Sequence, residues 1–524
     1  MLLHEICEFN ARKQPHAEAL VHENGSRESW RALDERSERI AAALAQRGIQ
    51  KGDRVCFLGR NCIEVFHILF ACSKIGALYV PLNYRLAIPE IVQVLEDCRP
   101  KAFIAHVEYA ETLEKLKAGH TFDTIHLWLV AGVPETADRS LEAALARVPA
   151  RQYFPSVSDD DPSWVCYTGG TTGRGKGVLL SHRNMLAGAF NFIITCEIVA
   201  SDVYLVAGAL FHIALAVPFA YWLAGGKVVL TNFQPETALG LIAREGVTQM
   251  VCTGTIFKML IEAMERAPVE TKLRLMFCGG APVSPEIVQR AGSAFRCRIS
   301  QIYGQTECTL MATYLYPADY QRAFAAAEGT PEAKRLNSVG RAAPMCLIGI
   351  LDDAMNELPF GAVGEIAVRG DCVMLGYANM AEQTAETLRN GWLRTGDLGY
   401  MDDDAYVYLV DRKKDVIITG GENVYSQEVE LALIAHPHVG EAVVIGVPDP
   451  HWGEQVIALV VPAAGCTPDP EALRAFCRER LAGYKVPKRI EFREAFPRLP
   501  TGKVAKGNLR KEFWGDGPKQ IHGI

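Results

Sequence analysis

A glycine-rich segment carries the strongest chemical signal in this sequence. Residues 167–177 read YTGGTTGRGKG, with five glycines, three threonines and a lysine directly after an apolar run. Glycine lets backbone N–H groups turn toward a bound anion, threonine hydroxyls add hydrogen-bond donors, and Lys176 adds a positive charge. The segment is therefore a candidate phosphate-binding loop.

The widespread phosphate loop G-x-x-x-x-G-K-[ST] fits this segment only in part. Residues 170–176 match as far as the lysine, but Gly177 stands where that motif places a Mg²⁺-binding Ser or Thr. The next residues, 178–182, are typical of a strand, whereas a P-loop holds phosphate at the start of a helix. A glycine-rich hairpin without a ligand is the alternative interpretation.

Further motifs follow this loop in a fixed order. They are YGQTE at 303–307, WLRTGD at 392–397, DRKKD at 411–415, GGENVY at 420–425 and LPTGK at 499–503. This series resembles the adenylate-forming superfamily, which contains acyl-CoA synthetases, amino-acid adenylation domains and luciferases. The resemblance covers nearly the whole chain and favours the acyl-CoA synthetase branch.

Size and composition limit the functional classes. The chain has 524 residues, 49% of them hydrophobic, and a net charge of −7. This length indicates two or more domains, and the charge gives no reason to expect nucleic acid as a partner. No basic tract indicates an anionic membrane surface, although peripheral membrane contact is compatible with the sequence.

The cysteines and apolar runs indicate a cytoplasmic protein. The 15 cysteines are scattered and include no C-x-x-C pair, which indicates reduced thiols rather than a disulfide framework or a zinc site. The first residues lack a secretory signal pattern. Residues 203–226 are long enough to span a bilayer, but they include His212 and Pro218, so a buried helix behind a ligand pocket is the preferred interpretation.

The order of apolar and helical patterns predicts an α/β fold. Strand-like runs alternate with helical patterns through the first two-thirds of the chain, which indicates parallel-rich sheets covered by helices. Near residue 360 the pattern changes to strands that read as half-exposed, such as 364–368, and the superfamily resemblance implies a small β-barrel-like subdomain there. We place the N-terminal body at 1–413 and a small, mobile α+β lid at 414–524, with the hinge near Lys414. The segment 317–335 is predicted to be a mobile insert.

The superfamily resemblance implies an ATP site on the body. It assigns the β- and γ-phosphates to the glycine-rich loop, the α-phosphate to Thr306, Mg²⁺ to Glu307, and adenine stacking to Tyr303. Asp397 would bind the ribose hydroxyls, with Arg412 beside it. The full set of predicted nucleotide contacts is Thr168, Gly169, Gly170, Thr171, Thr172, Gly173, Lys176, Gly280, Ala281, Tyr303, Gly304, Gln305, Thr306, Asp397 and Arg412.

Several of these residues also have a purely structural interpretation. Tyr303 could be a core aromatic, Glu307 could cap a helix, and Asp397 lies in Thr-Gly-Asp, a common turn composition. The fixed order of the motifs favours the functional interpretation.

The same resemblance implies two reactions and two uses of the lid. Lys503 would lie between the acid and the α-phosphate and neutralise the charge that develops as an acyl-adenylate forms. Gly420, Gly421 and Glu422 would then line the path of the pantetheine arm of coenzyme A, so that the CoA thiol attacks the adenylate.

The positions that match the acyl pocket favour an apolar acid. His212 would border the pocket, next to Ala214, Ala216, Leu310 and Met311, and none of these positions could pair with an amino group. A medium- or long-chain fatty acid is the first hypothesis and an aryl acid of the cinnamate or benzoate type is the second. An adenylation enzyme that loads a carrier-protein thiol and a P-loop phosphotransferase are the rivals. Small-molecule partners (the acid, ATP and CoA) and a homodimer are expected.

Overall fold

The computed structural model describes residues 1–146, 148, 154–168, 175–280, 283–498 and 504–514. The strands in this part are β1 (Glu18–His22), β2 (Arg27–Ser29), β3 (Arg54–Leu58), β4 (Leu78–Leu82), β5 (Ala102–His106), β6 (Leu127–Ala131), β7 (Pro162–Thr168), β8 (Lys176–Ser181), β9 (Val203–Val206), β10 (Lys227–Leu230), β11 (Gln249–Cys252), β12 (Leu275–Cys278), β13 (Arg298–Tyr303), β14 (Thr313–Leu315), β15 (Arg341–Ala342), β16 (Leu347–Leu351), β17 (Gly364–Arg369), β18 (Gly376–Tyr377), β19 (Leu388–Arg389), β20 (Trp392–Met401), β21 (Val407–Arg412), β22 (Ile417–Thr419), β23 (Glu422–Val424), β24 (Val439–Asp449), β25 (Gly453–Pro462) and β26 (Arg489–Phe492).

Helices alternate with these strands. They are α1 (Leu3–Lys13), α2 (Trp30–Gln46), α3 (Glu64–Ile75), α4 (Ile88–Cys98), α5 (Ala110–Gly119), α6 (Leu141–Leu145), α7 (His182–Thr195), α8 (Val217–Ala224), α9 (Pro235–Glu245), α10 (Gly254–Arg266), α11 (Pro285–Phe295), α12 (Pro317–Ala325), α13 (Pro331–Lys334), α14 (Ala381–Thr387), α15 (Ser426–Ile434), α16 (Pro470–Arg478) and α17 (Lys506–Trp514). Short 3₁₀ helices lie at Val107–Tyr109, Ile213–Ala216, Thr306–Cys308, Arg335–Asn337 and Lys413–Asp415.

Two large, mainly parallel sheets form the N-terminal part. The nine-stranded sheet has the order β15-β14-β13-β12-β11-β9-β10-β1-β2, and the seven-stranded sheet has the order β18-β8-β7-β4-β3-β5-β6. The central pairs of both sheets are parallel, both edges of the nine-stranded sheet are antiparallel, and the seven-stranded sheet is antiparallel at the β18–β8–β7 edge and parallel at the β5–β6 edge. The largest hydrophobic cluster packs residues of both sheets around α3, which is buried along nearly its whole length, as expected of a helix with apolar residues on all sides.

Two smaller sheets follow in the chain. A five-stranded antiparallel sheet, the curled sheet, has the order β16-β17-β20-β19, and β21 also pairs with β20. The last sheet has the order β23-β22-β25-β24, with β26 parallel to β25, and packs against α15, α16 and α17. The predicted α/β class, with a large N-terminal domain, a curled sheet and a smaller C-terminal domain, is confirmed.

Local sequence explains many element boundaries. Ser284 caps α11 by accepting a hydrogen bond from the Ile287 N–H, and Pro285 occupies the first helical position. The predicted strand after the glycine-rich loop is β8, which ends one residue early because His182 begins α7. Ser181 caps that helix by accepting from the Asn184 N–H.

Three sequence expectations need correction. Strand β17, expected to be half-exposed, is buried from Glu365 to Val368 because it lies between β16 and β20. The expected mobile insert at 317–335 forms α12 and α13, and the buried Tyr320 donates a hydrogen bond to Gln301. The apolar segment 203–226 is divided into β9, a 3₁₀ turn and α8 rather than one helix. Within the described residues, no helix has both the length and the apolarity to cross a membrane.

Candidate active site

The buried carboxylate of Asp397 joins the nine-stranded sheet to the curled sheet. Tyr303, at the end of β13, donates its hydroxyl to Asp397 Oδ2 at 2.8 Å, and Gln305 Nε2 donates to the same oxygen at 3.1 Å. Arg412 lies opposite Asp397 across β20 and β21, and its Nε is 3.1 Å from Asp397 Oδ1. Tyr303, Gln305 and Arg412 therefore surround Asp397, and all four are predicted nucleotide contacts.

Burial fixes the state of Tyr303. Its side chain is almost fully enclosed, and this burial, reinforced by the adjacent Asp397 carboxylate, raises the pKa of the phenol well above its usual value. The phenol therefore stays protonated and remains a hydrogen-bond donor to Asp397. The structural and the functional interpretations of Tyr303 concern different parts of its side chain. The buried hydroxyl holds Asp397, and the ring is the part predicted to stack on adenine.

A second cluster links the phosphate-loop lysine to the candidate Mg²⁺ ligand. Lys176 begins β8, and its Nζ lies 4.7 Å from the centroid of the Tyr377 ring, a cation–π distance. The Tyr377 hydroxyl donates to Glu307 Oε1 at 2.9 Å, and burial raises the pKa of this phenol as well. The Lys176 ammonium thus contacts the ring of the buried Tyr377, and the Glu307 carboxylate contacts its hydroxyl.

The motif 303–307 belongs to a tight loop that carries both clusters. A Cβ at Gly304 would lie 2.3 Å from the Leu310 carbonyl oxygen, so no side chain fits at that position. Thr309 and Leu310 have positive φ angles of 51° and 77°, and backbone of this kind occurs at functional sites more often than elsewhere. The loop holds Thr306 and Glu307 in a single 3₁₀ turn.

Two of the predicted phosphate-loop contacts, Thr168 and Lys176, lie within the described residues. Thr168 ends β7 and faces Lys176 across the antiparallel pair β7–β8, so the element that follows the loop is a paired strand and not a helix. Gly280, with φ +83°, follows the end of β12. The predicted contacts Gly169, Gly170, Thr171, Thr172, Gly173 and Ala281 and the predicted catalytic Lys503 lie outside the described residues.

Burial divides the predicted acyl-pocket residues. Ala214 and Leu310 are half-buried, whereas Ala216 and Met311 are enclosed in the main core, where Thr195 donates a weak hydrogen bond to the Met311 sulfur. His212 immediately precedes the 3₁₀ helix Ile213–Ala216, and its ring lies 4.1 Å from that of Phe211.

The predicted hinge lies in a network of charges. The Lys414 carbonyl accepts a hydrogen bond from Arg510 Nη1 at 3.2 Å, and the same guanidinium binds Asp415 at 2.6 Å. Burial lowers the pKa of the Lys414 ammonium to about 8. Lys506 Nζ bridges Ser426 and Glu430, at 2.9 and 2.7 Å.

The predicted CoA contacts occupy a hairpin turn. Gly420 and Gly421 connect β22 to β23 with φ angles of 61° and 85°, the left-handed pair that a two-residue β-hairpin requires. Backbone geometry alone therefore accounts for both glycines. A Cβ at Gly421 would meet nothing within 4 Å, whereas one at Gly420 would meet the Trp452 ring at 2.7 Å.

Sequence reasoning missed Tyr377. It belongs to β18, which pairs with β8 and so brings a distant segment to Lys176 and Glu307. Its local sequence, MLGYA at 374–378, contains no pattern that marks a binding site. Only the pairing of the two strands reveals its position.

Comparison with known proteins identifies the family of this chain. The family of AMP-binding enzymes matches residues 7–378, and the AMP-binding enzyme C-terminal domain matches residues 428–503. The chain is 38% identical to a feruloyl-CoA synthase of Amycolatopsis sp over 510 residues, 96% of this chain and 97% of that protein. It is 32% identical to the long-chain-fatty-acid–CoA ligase FadD13 of Mycobacterium tuberculosis over 501 residues, 94% of each. The structure of ATP-bound MatB from Rhodopseudomonas palustris superposes with a TM-score of 0.85 at 29% identity and covers 100% of both chains.

The chain therefore belongs to the AMP-binding enzyme family. The predicted adenylate-forming superfamily and its acyl-CoA synthetase branch are confirmed, and the protein is an enzyme of the AMP-forming acid–CoA ligase class.

Proposed function

We propose that this enzyme converts an apolar carboxylic acid into its CoA thioester in two steps. In the first, a carboxylate oxygen attacks the α-phosphorus of ATP, and pyrophosphate leaves as acyl-AMP forms. In the second, the CoA sulfur attacks the acyl carbon, its proton is released, and AMP leaves. The first step brings two anions together, so it requires fixed cations and oriented dipoles.

The arrangement around Tyr377 carries this proposal. It places the Lys176 ammonium 4.7 Å from the ring and the Glu307 carboxylate 2.9 Å from the hydroxyl, beside the glycine-rich hairpin. Lys176 would bind the β- and γ-phosphates together with the loop. Thr306, in the same 3₁₀ turn as Glu307, would donate to the α-phosphate.

Glu307 has the chemistry of a Mg²⁺ ligand. Mg²⁺ prefers carboxylate and phosphate oxygens. One oxygen, Oε1, accepts from Tyr377, and the other, Oε2, receives no hydrogen bond from the residues that the structure describes. A bound Mg²⁺ would offset the charge of the triphosphate, and Tyr377 would keep the carboxylate in one orientation.

The Asp397 cluster would hold the nucleoside. Among the described residues, the partner of its Oδ1 is the Arg412 guanidinium, in a salt bridge, so this oxygen has room for a ribose hydroxyl, since each carboxylate oxygen accepts up to two hydrogen bonds. The hydroxyl of Tyr303 is tied to Oδ2, which would present the tyrosine ring at a fixed angle to adenine. Gly280, with Ala281, would let the backbone approach the base.

Lys503 and the C-terminal domain would complete the two steps. Lys503 would stabilise the charge that develops between the acid and the α-phosphate, and rotation near Lys414 would then withdraw it and bring Gly420, Gly421 and Glu422 toward CoA. Arg510 and Lys506 tie the helix that follows Lys503 to the joint, which supports a coupling between the joint and the catalytic lysine.

Among apolar acids, we favour an aryl acid over a long-chain fatty acid. The feruloyl-CoA synthase is 38% identical to this chain, against 32% for FadD13. Ala216 and Met311, which would line a deep acyl channel, are already enclosed in the core, which supports a shorter pocket bounded by His212, Ala214 and Leu310. A fatty acid remains the second candidate, because FadD13 also matches along 94% of this chain.

The first experiment separates the two half-reactions. Lys503→Ala should lower acid-dependent pyrophosphate exchange by on the order of 10²–10³-fold, while thioester formation from supplied acyl-AMP should largely survive. The control is Lys511→Ala, an exposed lysine of α17, which should leave both steps unchanged. Equal loss of the two half-reactions in Lys503→Ala would contradict the assigned role.

The second experiment identifies the acid and the acceptor. AMP release is measured for ferulate, benzoate and fatty acids of increasing length, with free CoA present or absent. Ferulate should give the highest kcat/KM, and turnover should require CoA. A maximum at a long-chain fatty acid would favour the second candidate, and CoA-independent loading of a carrier protein would identify an adenylation enzyme.

A further inference from the structure

Three potential metal ligands converge at one edge of the seven-stranded sheet. The Cys62 sulfur, a carboxylate oxygen of Glu64 and a ring nitrogen of His106 all lie within 4.8 Å of one another. None of them belongs to the candidate active site. The cluster therefore needs an explanation of its own.

Parallel strand pairing assembles the cluster. His106 is the last residue of β5, and Cys62 and Glu64 follow the end of β3. Since β3 and β5 are adjacent and parallel, their carboxyl ends meet at the same edge, where ligand sites of open α/β sheets lie.

Two glycines leave space for the imidazole. A Cβ at Gly132, which has φ +81°, would lie 3.2 Å from His106 Nε2. A Cβ at Gly59 would lie 3.2 Å from the His106 Cβ. A side chain at Gly132 would press on the ring and one at Gly59 would press on its Cβ, so the two glycines leave the space that the histidine side chain occupies.

The ligand side chains have few other partners. Among the described residues, neither the Glu64 carboxylate nor the His106 ring forms a salt bridge or a side-chain hydrogen bond with a residue outside the cluster. Arg60, two residues before Cys62, pairs instead with Glu108. The carboxylate and the imidazole are thus directed at the cluster rather than paired with neighbouring side chains.

We propose that Cys62, Glu64 and His106 form a binding site for a divalent transition metal, with Zn²⁺ as the preferred ion. Thiolate, imidazole and carboxylate are its protein ligands, and three of them leave a fourth position for water. A thiolate and a carboxylate supply two negative charges that match a divalent cation. Sulfur and nitrogen donors disfavour Mg²⁺ and Ca²⁺, which prefer oxygen ligands.

A nucleophilic Cys–His–Glu arrangement uses the same residue types but does not suit the burial. Cys62 is only 8% exposed, so a substrate would not reach its sulfur, whereas a small ion needs only the open side at the half-buried Glu64 and His106. The lack of a C-x-x-C pair predicted no zinc site. The ligands proposed here come from separate segments, because His106 ends β5 whereas Cys62 and Glu64 follow β3.

The site would brace a loop that supports the candidate acyl pocket. Asn61, next to Cys62, accepts a hydrogen bond from the Leu210 N–H at 2.8 Å and donates to the Gly208 carbonyl at 2.9 Å. Leu210 precedes Phe211 and His212 in the chain. A bound metal would therefore stabilise the segment that leads to His212.

Metal binding by the full-length chain tests this proposal. The protein is stripped with a chelator, titrated with Zn²⁺ against a chromophoric competitor, and analysed for metal by mass spectrometry. Wild type should bind one equivalent. Cys62→Ser and His106→Gln should each weaken binding by at least about 100-fold, since even outer-shell changes cost 10–100-fold. Cys466→Ser, at a half-buried thiol in the C-terminal domain, should bind as wild type.

A cobalt spectrum makes the test independent of variant folding. Co²⁺ added to the stripped wild type should produce a thiolate-to-metal charge-transfer band, which Zn²⁺ should abolish. That band should be missing in Cys62→Ser and present in Cys466→Ser. Failure of wild type to bind Zn²⁺, or wild-type affinity in Cys62→Ser, would overturn the proposal.

Discussion

At the scale of single residues, one buried carboxylate organises the candidate nucleotide site. Asp397 accepts hydrogen bonds from Tyr303 and Gln305 of one segment and forms a salt bridge with Arg412 of another. A carboxylate suits this position because two neighbours donate hydrogen bonds and the third is a cation. An asparagine at the same position would replace one acceptor oxygen with an NH₂ group, which would face neighbours that are themselves donors.

Asp397→Asn should therefore damage both activity and stability. We expect acid-dependent pyrophosphate exchange to fall by about 10²-fold or more and the free energy of unfolding to fall by about 1–3 kcal/mol, because a buried donor loses its acceptor. Exchange assays and urea denaturation measure the two effects. Tyr303→Phe, which removes only one donor, should cost about 0.5–1.5 kcal/mol. Wild-type exchange in Asp397→Asn would contradict the assigned role.

Lys414 predicts a pH dependence of stability. Its pKa in the folded protein is about 8, against 10.5 for a free lysine. Between these two values the unfolded chain binds more protons than the folded one, so stability rises with pH. Across that window wild type should gain about 1–3 kcal/mol relative to Lys414→Met, as measured by urea denaturation. Lys511→Met, at an exposed lysine, should show the same pH dependence as wild type. If the stability of Lys414→Met changed with pH in parallel with wild type, a lowered pKa of Lys414 would be excluded.

At the scale of elements, tight turns place the functional backbone. The loop 303–312 depends on Gly304 because the Leu310 carbonyl occupies the space of a side chain. The hairpin at Gly420 and Gly421 depends on left-handed backbone at both positions. In both elements the turn itself requires glycine, whatever ligand the turn contacts.

Gly421→Ala separates the turn requirement from the proposed CoA path. A left-handed Ala costs about 1–2 kcal/mol, and Gly465→Ala is a matched control, because Gly465 also has positive φ and open space around its Cβ position. Both variants should lose similar stability. Only Gly421→Ala should slow thioester formation from acyl-AMP, as measured by single-turnover kinetics. Equal rates in the two variants would exclude Gly421 from the CoA path.

At the scale of the whole molecule, an ionic network fastens the C-terminal helix to the joint. Lys506 contacts Ser426 and Glu430, and the Ser426 N–H and hydroxyl bind Asp411. Burial raises the pKa values of Asp411 and Glu430, so these acids depend on the lysine to remain ionised. The network connects the last strand of the curled sheet to the C-terminal domain.

Removal of Lys506 should loosen this connection. Lys506→Met should lower the stability of the C-terminal domain by about 1–3 kcal/mol, a value reduced for partial exposure. Hydrogen exchange of β24 and β25 measures the effect. Lys506→Met combined with Glu430→Gln should recover part of the loss, because Glu430 is then no longer a buried carboxylate without its cation. Arg480→Met, at an exposed ion pair, should change little, and an unrecovered double variant would contradict the electrostatic explanation.

Local sequence determined much of the fold and part of the site. The alternation of strand-like and helical patterns predicted the α/β class, because the spacing of apolar residues is a local property. Residues 178–182 correctly predicted a strand after the glycine-rich loop. The order of the motifs indicated the superfamily, since each motif is a short contiguous segment.

Tertiary structure decided which distant residues meet. Strand pairing brought Tyr377 to Lys176 and Glu307, and placed Cys62 beside His106, although no local pattern connects these positions. Burial depends on neighbouring strands and layers as well, and for that reason β17, which was expected to be half-exposed, is buried from Glu365 to Val368. The sequence alone thus established the chemical groups and their local elements. Their pairing and solvation depend on contacts between segments that are distant in the chain, which only the folded chain defines.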